Sequence, residues 1–382
     1  MFQNNSKHYN NYIQNRDLKY VLHSIDNEWK TELREVLKQF YHKNHITVNE
    51  QEEIKALFNE IACIINDNFS NAIIYVYGSH VSGLAIKYSD LDIAVLFHDR
   101  KNFIYLPKGG QKFKLDMMYT YFSRMKKYLK LIFISKARIP LIKFQTFDGV
   151  DVDVSVDNFQ AMESTELLRI YSSLSSYFVV LAQLLKNVVK LYGIGEAYEG
   201  TLSSYGYMVM LIHFLQKKEI LPVLHEKYNH YEIRPNFKAC QNFFVPNINE
   251  IKNLWNDFLL VDLWIDFFRY YTLEFNVLYE VVSIRHSRPV TKCEKKWRSF
   301  LAIENPLDPS SDCGSHLNET NFNKIFDSFR DVLFAKGDVN RIGALGGGTG
   351  SRCSPAQVKL PKSSPGKFYK FLNKISDYIL EL

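Results

Sequence analysis

What is scarce in these 382 residues narrows the field before any motif is considered. Five cysteines, Cys63, Cys240, Cys293, Cys313 and Cys353, are scattered with no Cys-x-x-Cys among them. That excludes a zinc module or a disulfide framework and points to a reducing compartment. No uninterrupted apolar run is long enough to span a bilayer, and the Asn-rich stretch from Met1 to Asp17 has no apolar centre. Neither a secretory leader nor a membrane partner is therefore expected. RRM, KH and zinc-knuckle patterns are missing as well, so any affinity for RNA must come from a groove or a partner. Strong charge of one sign is lacking too: the net charge is +6, which permits a polyanionic ligand without demanding one. The expected setting is intracellular, cytoplasmic ahead of nuclear or organellar. Apolar and aromatic residues are plentiful, at 46% and 15%, and support a sizeable core in two or three domains.

Chemistry concentrates between Tyr77 and Asp92. The run from Ala72 to Tyr77 is β-branched and aromatic like a buried strand, and Gly78-Ser79 breaks it. A turn with exposed N–H groups and a hydroxyl should follow, and such a turn can hold a phosphate. A second strand, Leu91 to Phe97, begins at two carboxylates. Period-2 geometry puts Asp90 and Asp92 on one face, with Leu91, Ile93 and Val95 on the other. Two acids side by side repel unless a cation lies between them, and oxygen-seeking Mg²⁺ suits the role when a phosphate shares it.

Apolar spacing predicts a helix over Leu18 to Phe40 and a second one opened by an Asn49/Glu52 capping box. His42-x-x-His45 between them has no third ligand and is expected in a polar loop. Past the carboxylates come a basic loop with Lys108, Lys112 and Lys114, then a helical segment with Arg124, Lys126, Lys127 and Lys130, which could guide a nucleic-acid backbone. Asp148-Gly149 joins two strand-like runs, Pro140 to Phe147 and Val150 to Val156, as a hairpin. In the second run Asp151, Asp153, Ser155 and Asp157 share a face. A third acid from there would complete a carboxylate set for two-metal phosphoryl transfer. Glu166 to Leu191 keeps helical spacing, with Lys186 and Lys190 four apart on one face.

Taken together these residues resemble the DNA polymerase β-like nucleotidyltransferase superfamily, and within it the terminal uridylyltransferases and the non-conventional poly(A) polymerases. The resemblance covers most of Glu53 to about Lys336. It rests on Gly78-Ser79, Ser89-Asp90-Leu91-Asp92, Val152-Asp153-Val154-Ser155, Thr201-Leu-Ser-Ser-Tyr-Gly206 and Ile303-Glu-Asn-Pro-Leu-Asp308. It implies an α+β, bilobal enzyme with a mixed β-sheet palm and a mainly helical second lobe that carries the nucleotide recognition loop. By the resemblance Asp90, Asp92 and Asp153 hold two Mg²⁺ ions, with Mn²⁺ able to substitute. Gly78 and Ser79 meet the triphosphate, Lys186 and Lys190 grip its outer phosphates, and Ser204 touches phosphate. Tyr205 stacks on the base, Thr165 of the Ser164-Thr165 pair lies at the ribose, and Asp308 reads the base edge. A carboxylate only accepts hydrogen bonds, so that position suits a base offering N–H donors, which uracil, adenine and guanine all do. Ser311 stands where many uridylyl-specific members have His; Asn305 replaces a frequent Asp, and Ser315 a frequent Arg. His316 is expected on the surface.

The implied activity is template-independent addition of nucleotides from an NTP, UTP slightly ahead of ATP, to an RNA 3′ end with release of pyrophosphate. A poly(A) or mixed U/G-tail polymerase is the alternative, and a catalytically silent RNA-tethering scaffold is the alternative of another class. The domain organisation expected is a helical segment at 1–48 packing on the helical lobe, a palm at 49–160 and a helical central domain at 161–340. A Gly/Ser/Pro-rich linker at 341–367 and an amphipathic helix at 368–382 follow. The glycine run from Gly346 to Gly350 has neither a preceding strand nor a P-loop Lys-Ser/Thr, so it reads as linker. The last helix either docks back or binds a protein partner. Leu221 to Asn249, rich in Asn, His, Tyr and Pro, reads as a surface insertion.

Overall fold

The computed structural model describes residues 27–97, 106–227 and 239–333. The linker at 341–367 and the helix at 368–382 lie outside the described residues, as do the first residues of the Leu18–Phe40 stripe.

Period-2 and period-3.6 apolar patterns segregate into two packed units. The first is built on a five-stranded sheet in the order β1-β2-β5-β4-β3. Its strands are β1 (Ile73–Tyr77), β2 (Leu91–Leu96), β3 (Leu129–Ile134), β4 (Leu141–Gln145) and β5 (Asp151–Val156). β2 and β5 run parallel while every other neighbouring pair is antiparallel. One face carries Ile93, Val95, Ile142, Phe144, Val152 and Val154, all fully buried with Leu115, Met118 and Phe122 of α4 (Lys108–Met125) and Ile61 and Ile65 of α2 (Val48–Asn68). Burying a whole sheet face against helices leaves the other face, with the acids, to line a cleft.

The second unit is mainly helical. Here α5 (Phe159–Leu174), α6 (Ser176–Leu191), α7 (Ser204–Lys217), α8 (Leu259–Arg269) and α9 (Glu319–Leu333) share one core with Trp29, Leu33, Leu37 and Phe40 of α1 (Asn27–Asn44). A small mixed sheet in the order β7-β6-β8-β9 completes it, from β6 (Glu280–Val282), β7 (Val290–Thr291), β8 (Ala302–Asn305) and β9 (Asp308–Asp312).

Several local expectations are corrected. The capping box that opens α2 is Thr47 with Glu50, two residues earlier than Asn49/Glu52: the Thr47 side chain accepts from Glu50 N at 3.2 Å and Glu50 Oε2 accepts from Thr47 N at 2.7 Å. Lys108 to Lys114 belong to α4, not to a loop, because Pro107 at the N-cap presets the backbone and the two glycines are tolerated in the first turn. Glu166 to Leu191 is two helices, broken at Ser175, whose φ of −155° is extended. His42 and His45 flank the end of α1, where His45 stacks on Tyr41 and pairs with Gln183. The 221–249 stretch is more than a surface insertion. Cys240 is fully buried, Arg169 donates to the carbonyls of Ala239 and Asn242, and Gln51 donates to Phe244 O at 2.8 Å. Residues 239–244 strap the two units together.

Two buried histidines make stability depend on pH. His213 Nδ1–H donates to Ser283 O at 2.8 Å while the Tyr270 hydroxyl meets Nε2 at 3.2 Å. His80 faces Ser89 O at 3.3 Å. Burial pushes both down to about 4 from the usual 6.5. The unfolded chain therefore takes up protons that the folded one refuses. The stabilisation is complete above pH 6.5 and is lost as pH falls toward 4, by up to about 3 kcal/mol for each histidine. In calorimetric melts from pH 7.5 to 4.5, His213→Gln should lose less stability on acidification than the parent; an equal slope in that variant would assign the acid lability elsewhere.

Candidate active site

Tyr77, at the end of β1, pairs across the sheet with Asp92, and Asp92 pairs with Asp153 on β5. The parallel β2–β5 register thus places two acids from distant sequence side by side on one face. Asp90 precedes β2 and comes within ion-pair range of the same cation as Asp153: Lys143 Nζ lies 3.5 Å from Asp90 Oδ2 and 3.2 Å from Asp153 Oδ1. The three carboxylates expected to act together are thereby brought together. Burial, with Asp153 and Asp90 adding repulsion, holds Asp92 well above the usual carboxylate range. Burial also raises Asp153, against the pull of Lys143. Such a cluster is short of positive charge.

Gly78 is where the chain turns from β1 toward this cluster. Its φ of +76° with ψ of −148° is a region open essentially to glycine alone. A Cβ there would stand 2.0 Å from Asp92 Oδ2, so the missing side chain lets the carboxylate sit against the backbone. Gly78 N donates to Thr165 Oγ1 at 2.9 Å, and Thr165 donates on to Ala161 O. Thr165 is buried at the seam between the two units. Ser79 begins a one-turn helix, α3 (Ser79–Ser82), at the cleft wall.

The cleft holds about 870 Å³ and is walled by both units, a size suited to a nucleotide-sized ligand. Gly78, Ser79, Asp90 and Asp92 line one side; Thr165, Lys186, Lys190, Ser204 and Tyr205 line the other. Lys186 Nζ donates to Leu84 O at 3.0 Å, and burial pulls its ammonium down to about 8 although Asp92 and Asp90 favour the charged form. Lys190, one turn on, is exposed at the wall. Ser203 caps α7 by accepting from Gly206 N at 3.3 Å, which leaves Ser204 exposed in the first turn, where free N–H groups favour an anion. The Tyr205 ring packs on the second unit's core.

Asp308 is placed differently from its neighbours. It lies off the cleft wall, with Oδ1 accepting from Ser310 N at 3.2 Å and Ser310 Oγ at 2.6 Å. The wall there is Asn305, Ser311, Asp312, Cys313, Ser315 and His316. His316 is exposed yet reaches Thr201 O at 2.7 Å from the cleft side. Two cations hold this hairpin from behind: Arg285 donates to Pro306 O at 2.5 Å, and Lys295, paired with the buried Glu304, donates to Pro309 O at 3.1 Å. Sequence reasoning missed Lys143 and Arg138, the latter also on the wall. Lys143 was within reach, because a hairpin centred on Asp148 sets residue 143 opposite residue 153.

The donor set fits a hard divalent cation. It is all carboxylate, Asp153 Oδ1 is buried with the Lys143 ammonium 3.2 Å away, and repulsion among the acids adds to burial in raising Asp92. Among the described residues no three His, Cys, Asp or Glu side chains are grouped so as to hold a metal ion by themselves.

Paired sheet carboxylates, a glycine turn and facing lysines across a cleft make up the two-lobed architecture of the nucleotidyltransferase fold. Family models agree: residues 33–173 match the central palm domain of mitochondrial-like poly(A) RNA polymerase, and residues 260–311 match the Cid1 family poly A polymerase domain. The chain belongs to this family of RNA nucleotidyltransferases. It is 29% identical to human terminal uridylyltransferase 7 over 78% of its own length and 20% of that protein's. Identity to Xenopus laevis poly(A) RNA polymerase GLD2-B is 26%, over 74% of this chain and 55% of the relative. The chain thus spans about a fifth of the first and about half of the second. A Cid1 poly(U) polymerase structure with Mg 3′-dATP bound superposes with a TM-score of 0.63 at 25% identity, covering 82% of this chain and 97% of that one. The MgGTP-bound form gives 0.63 at 26%, over 80% and 94%. No helix among the described residues is long and apolar enough to cross a membrane.

Proposed function

We propose that this protein adds nucleotides, UTP ahead of ATP, to the 3′ end of RNA without a template. The reading is carried by one observation: Asp90 and Asp92 line a cleft whose far wall carries Lys186, Lys190 and the start of α7, and Asp153 stands abreast of Asp92 on the neighbouring parallel strand. The RNA 3′-hydroxyl would lose its proton to solvent as its oxygen forms a bond to the α-phosphorus and the α–β bridging P–O bond breaks, and pyrophosphate would leave with the displaced electron pair. Asp90, Asp92 and Asp153 would hold Mg²⁺, which when bound supplies neutralisation of charge on the nucleophile and the leaving group. The rest falls to the chain itself. Lys186, Lys190 and the exposed N–H groups near Ser204 would hold the triphosphate, while Gly78 and Ser79 leave backbone open to it. Thr165 ties the turn to α5, so palm and helical unit keep their relative placement during transfer. Preference for UTP is supported by the terminal uridylyltransferase relatives and by poly(U) polymerase as structural neighbour.

The test is the purified chain with Mg²⁺, labelled oligo(A) and one NTP at a time. Extension is expected with UTP, more slowly with ATP, and with one pyrophosphate released per addition. No extension with any NTP would overturn the reading.

A further inference from the structure

We propose that Lys143 is the built-in counter-cation of the acid cluster, and that its ammonium and a divalent ion compete for the same carboxylates. This rests on the reading of Asp90, Asp92 and Asp153 as the metal-holding set.

Lys143 sits at the middle of β4, directly opposite Asp153 in the antiparallel register. Strand alternation buries Ile142 and Phe144 on the core side and turns Lys143 onto the acidic face. Its ammonium lies 3.2 Å from Asp153 Oδ1, 3.3 Å from Asp153 Oδ2 and 3.5 Å from Asp90 Oδ2. It therefore spans the two acids that flank the cluster, both of which the metal also needs. The other cation nearby, Lys186, is committed to Leu84 O on the opposite wall.

Mg²⁺ binds carboxylate oxygens at roughly 2.0–2.1 Å. An ammonium already in contact with both oxygens of Asp153 stands in the volume such an ion and its waters require, so the two occupancies exclude each other. Lys143 can yield: its side chain is 36% exposed, and a four-carbon stem can carry the charge into solvent. Before metal arrives, Lys143 keeps three like charges compact and aligned. When metal arrives, the lysine is released with no rearrangement of β2 or β5.

The experiment measures Mn²⁺ binding by the full chain without nucleotide or RNA, from the paramagnetic resonance signal of free Mn²⁺, alongside the metal-free melting temperature. Lys143→Met is expected to bind Mn²⁺ about fivefold or more tightly than the parent, the range typical of coupled charges, while melting lower without metal. Lys143→Arg, whose planar fork can engage both acids at once, is expected to weaken Mn²⁺ binding severalfold and keep the fold intact. A purely structural lysine would lower the melting temperature and leave Mn²⁺ affinity untouched. Unchanged or weaker Mn²⁺ binding by Lys143→Met overturns the proposal, and should that variant not fold, unchanged binding by Lys143→Arg does the same. Asp92→Asn separates the two failures. If it binds Mn²⁺ as the parent does, the metal site is misassigned; if it loses binding while the Lys143 variants do not move, only the competition is wrong.

Discussion

Asp92→Asn is expected to cut nucleotide addition by about a thousandfold or more while leaving the metal-free protein more stable than the parent. Both effects come from one cause. Asp92 is buried between Asp153 and Asp90, and its carboxyl is held well above the ordinary range. A carboxyl whose folded value is raised stabilises the fold below the unfolded value of 3.8 and loses that contribution as pH rises toward the folded value. Above that window Asp92 therefore opposes folding until a cation joins the cluster. Asparagine keeps the shape and removes the charge, so the melting temperature should rise by about 1–3 °C for each kcal/mol of repulsion relieved. Activity should fall because the charge that holds the divalent ion has gone, a loss of several kcal/mol in the transition state. Calorimetry and primer extension on the same preparation check both signs. Parent-like extension by Asp92→Asn would remove Asp92 from the chemistry.

Gly78→Ala should be nearly as damaging to activity, with the opposite effect on stability. The added methyl would lie 2.0 Å from Asp92 Oδ2, at a φ of +76° that alanine adopts only under strain. Relief requires either Asp92 to swing away or the turn to open, and the turn is pinned by Gly78 N to Thr165 Oγ1. Strain of about 1–3 kcal/mol lowers the melting temperature, and a misplacement of Asp92 near 1 Å costs about a hundredfold in rate. Extension within twofold of the parent would mean the turn deforms freely. The pair of variants separates charge from position: one removes the negative charge in place, the other keeps the charge and moves it.

How much of this was legible in the chain follows from how local each signal is. The acids of β2 and β5 were found because alternation over a single strand assigns faces without reference to any other strand, and the Asp148-Gly149 turn announced the hairpin that delivers Asp153. The helix start at Thr47 is ambiguous in the sequence because Thr47/Glu50 and Asn49/Glu52 both satisfy the capping pattern, and only backbone geometry decides between them. The split at Ser175 was invisible because apolar spacing continues across it. Asp308 illustrates the opposite limit: its motif is evident, yet its carboxylate is engaged by Ser310 beside it, and Asn305 and Asp312 reach the wall instead.

From its order alone, then, the chain determined that Asp90 and Asp92 would share one strand face, that Asp151 and Asp153 would share another, that a glycine turn would precede the first pair, and that two lysines would share a helix face. Each of these depends on neighbours within a few residues. Only the tertiary structure decided that Lys143 would stand among the acids, that Thr165 would clamp the turn, that residues 239–244 would strap the two units, and which side chains of the β8–β9 hairpin would face the cleft. Those outcomes depend on how separate elements settle against one another, where burial and charge are balanced across distances that no local spacing encodes.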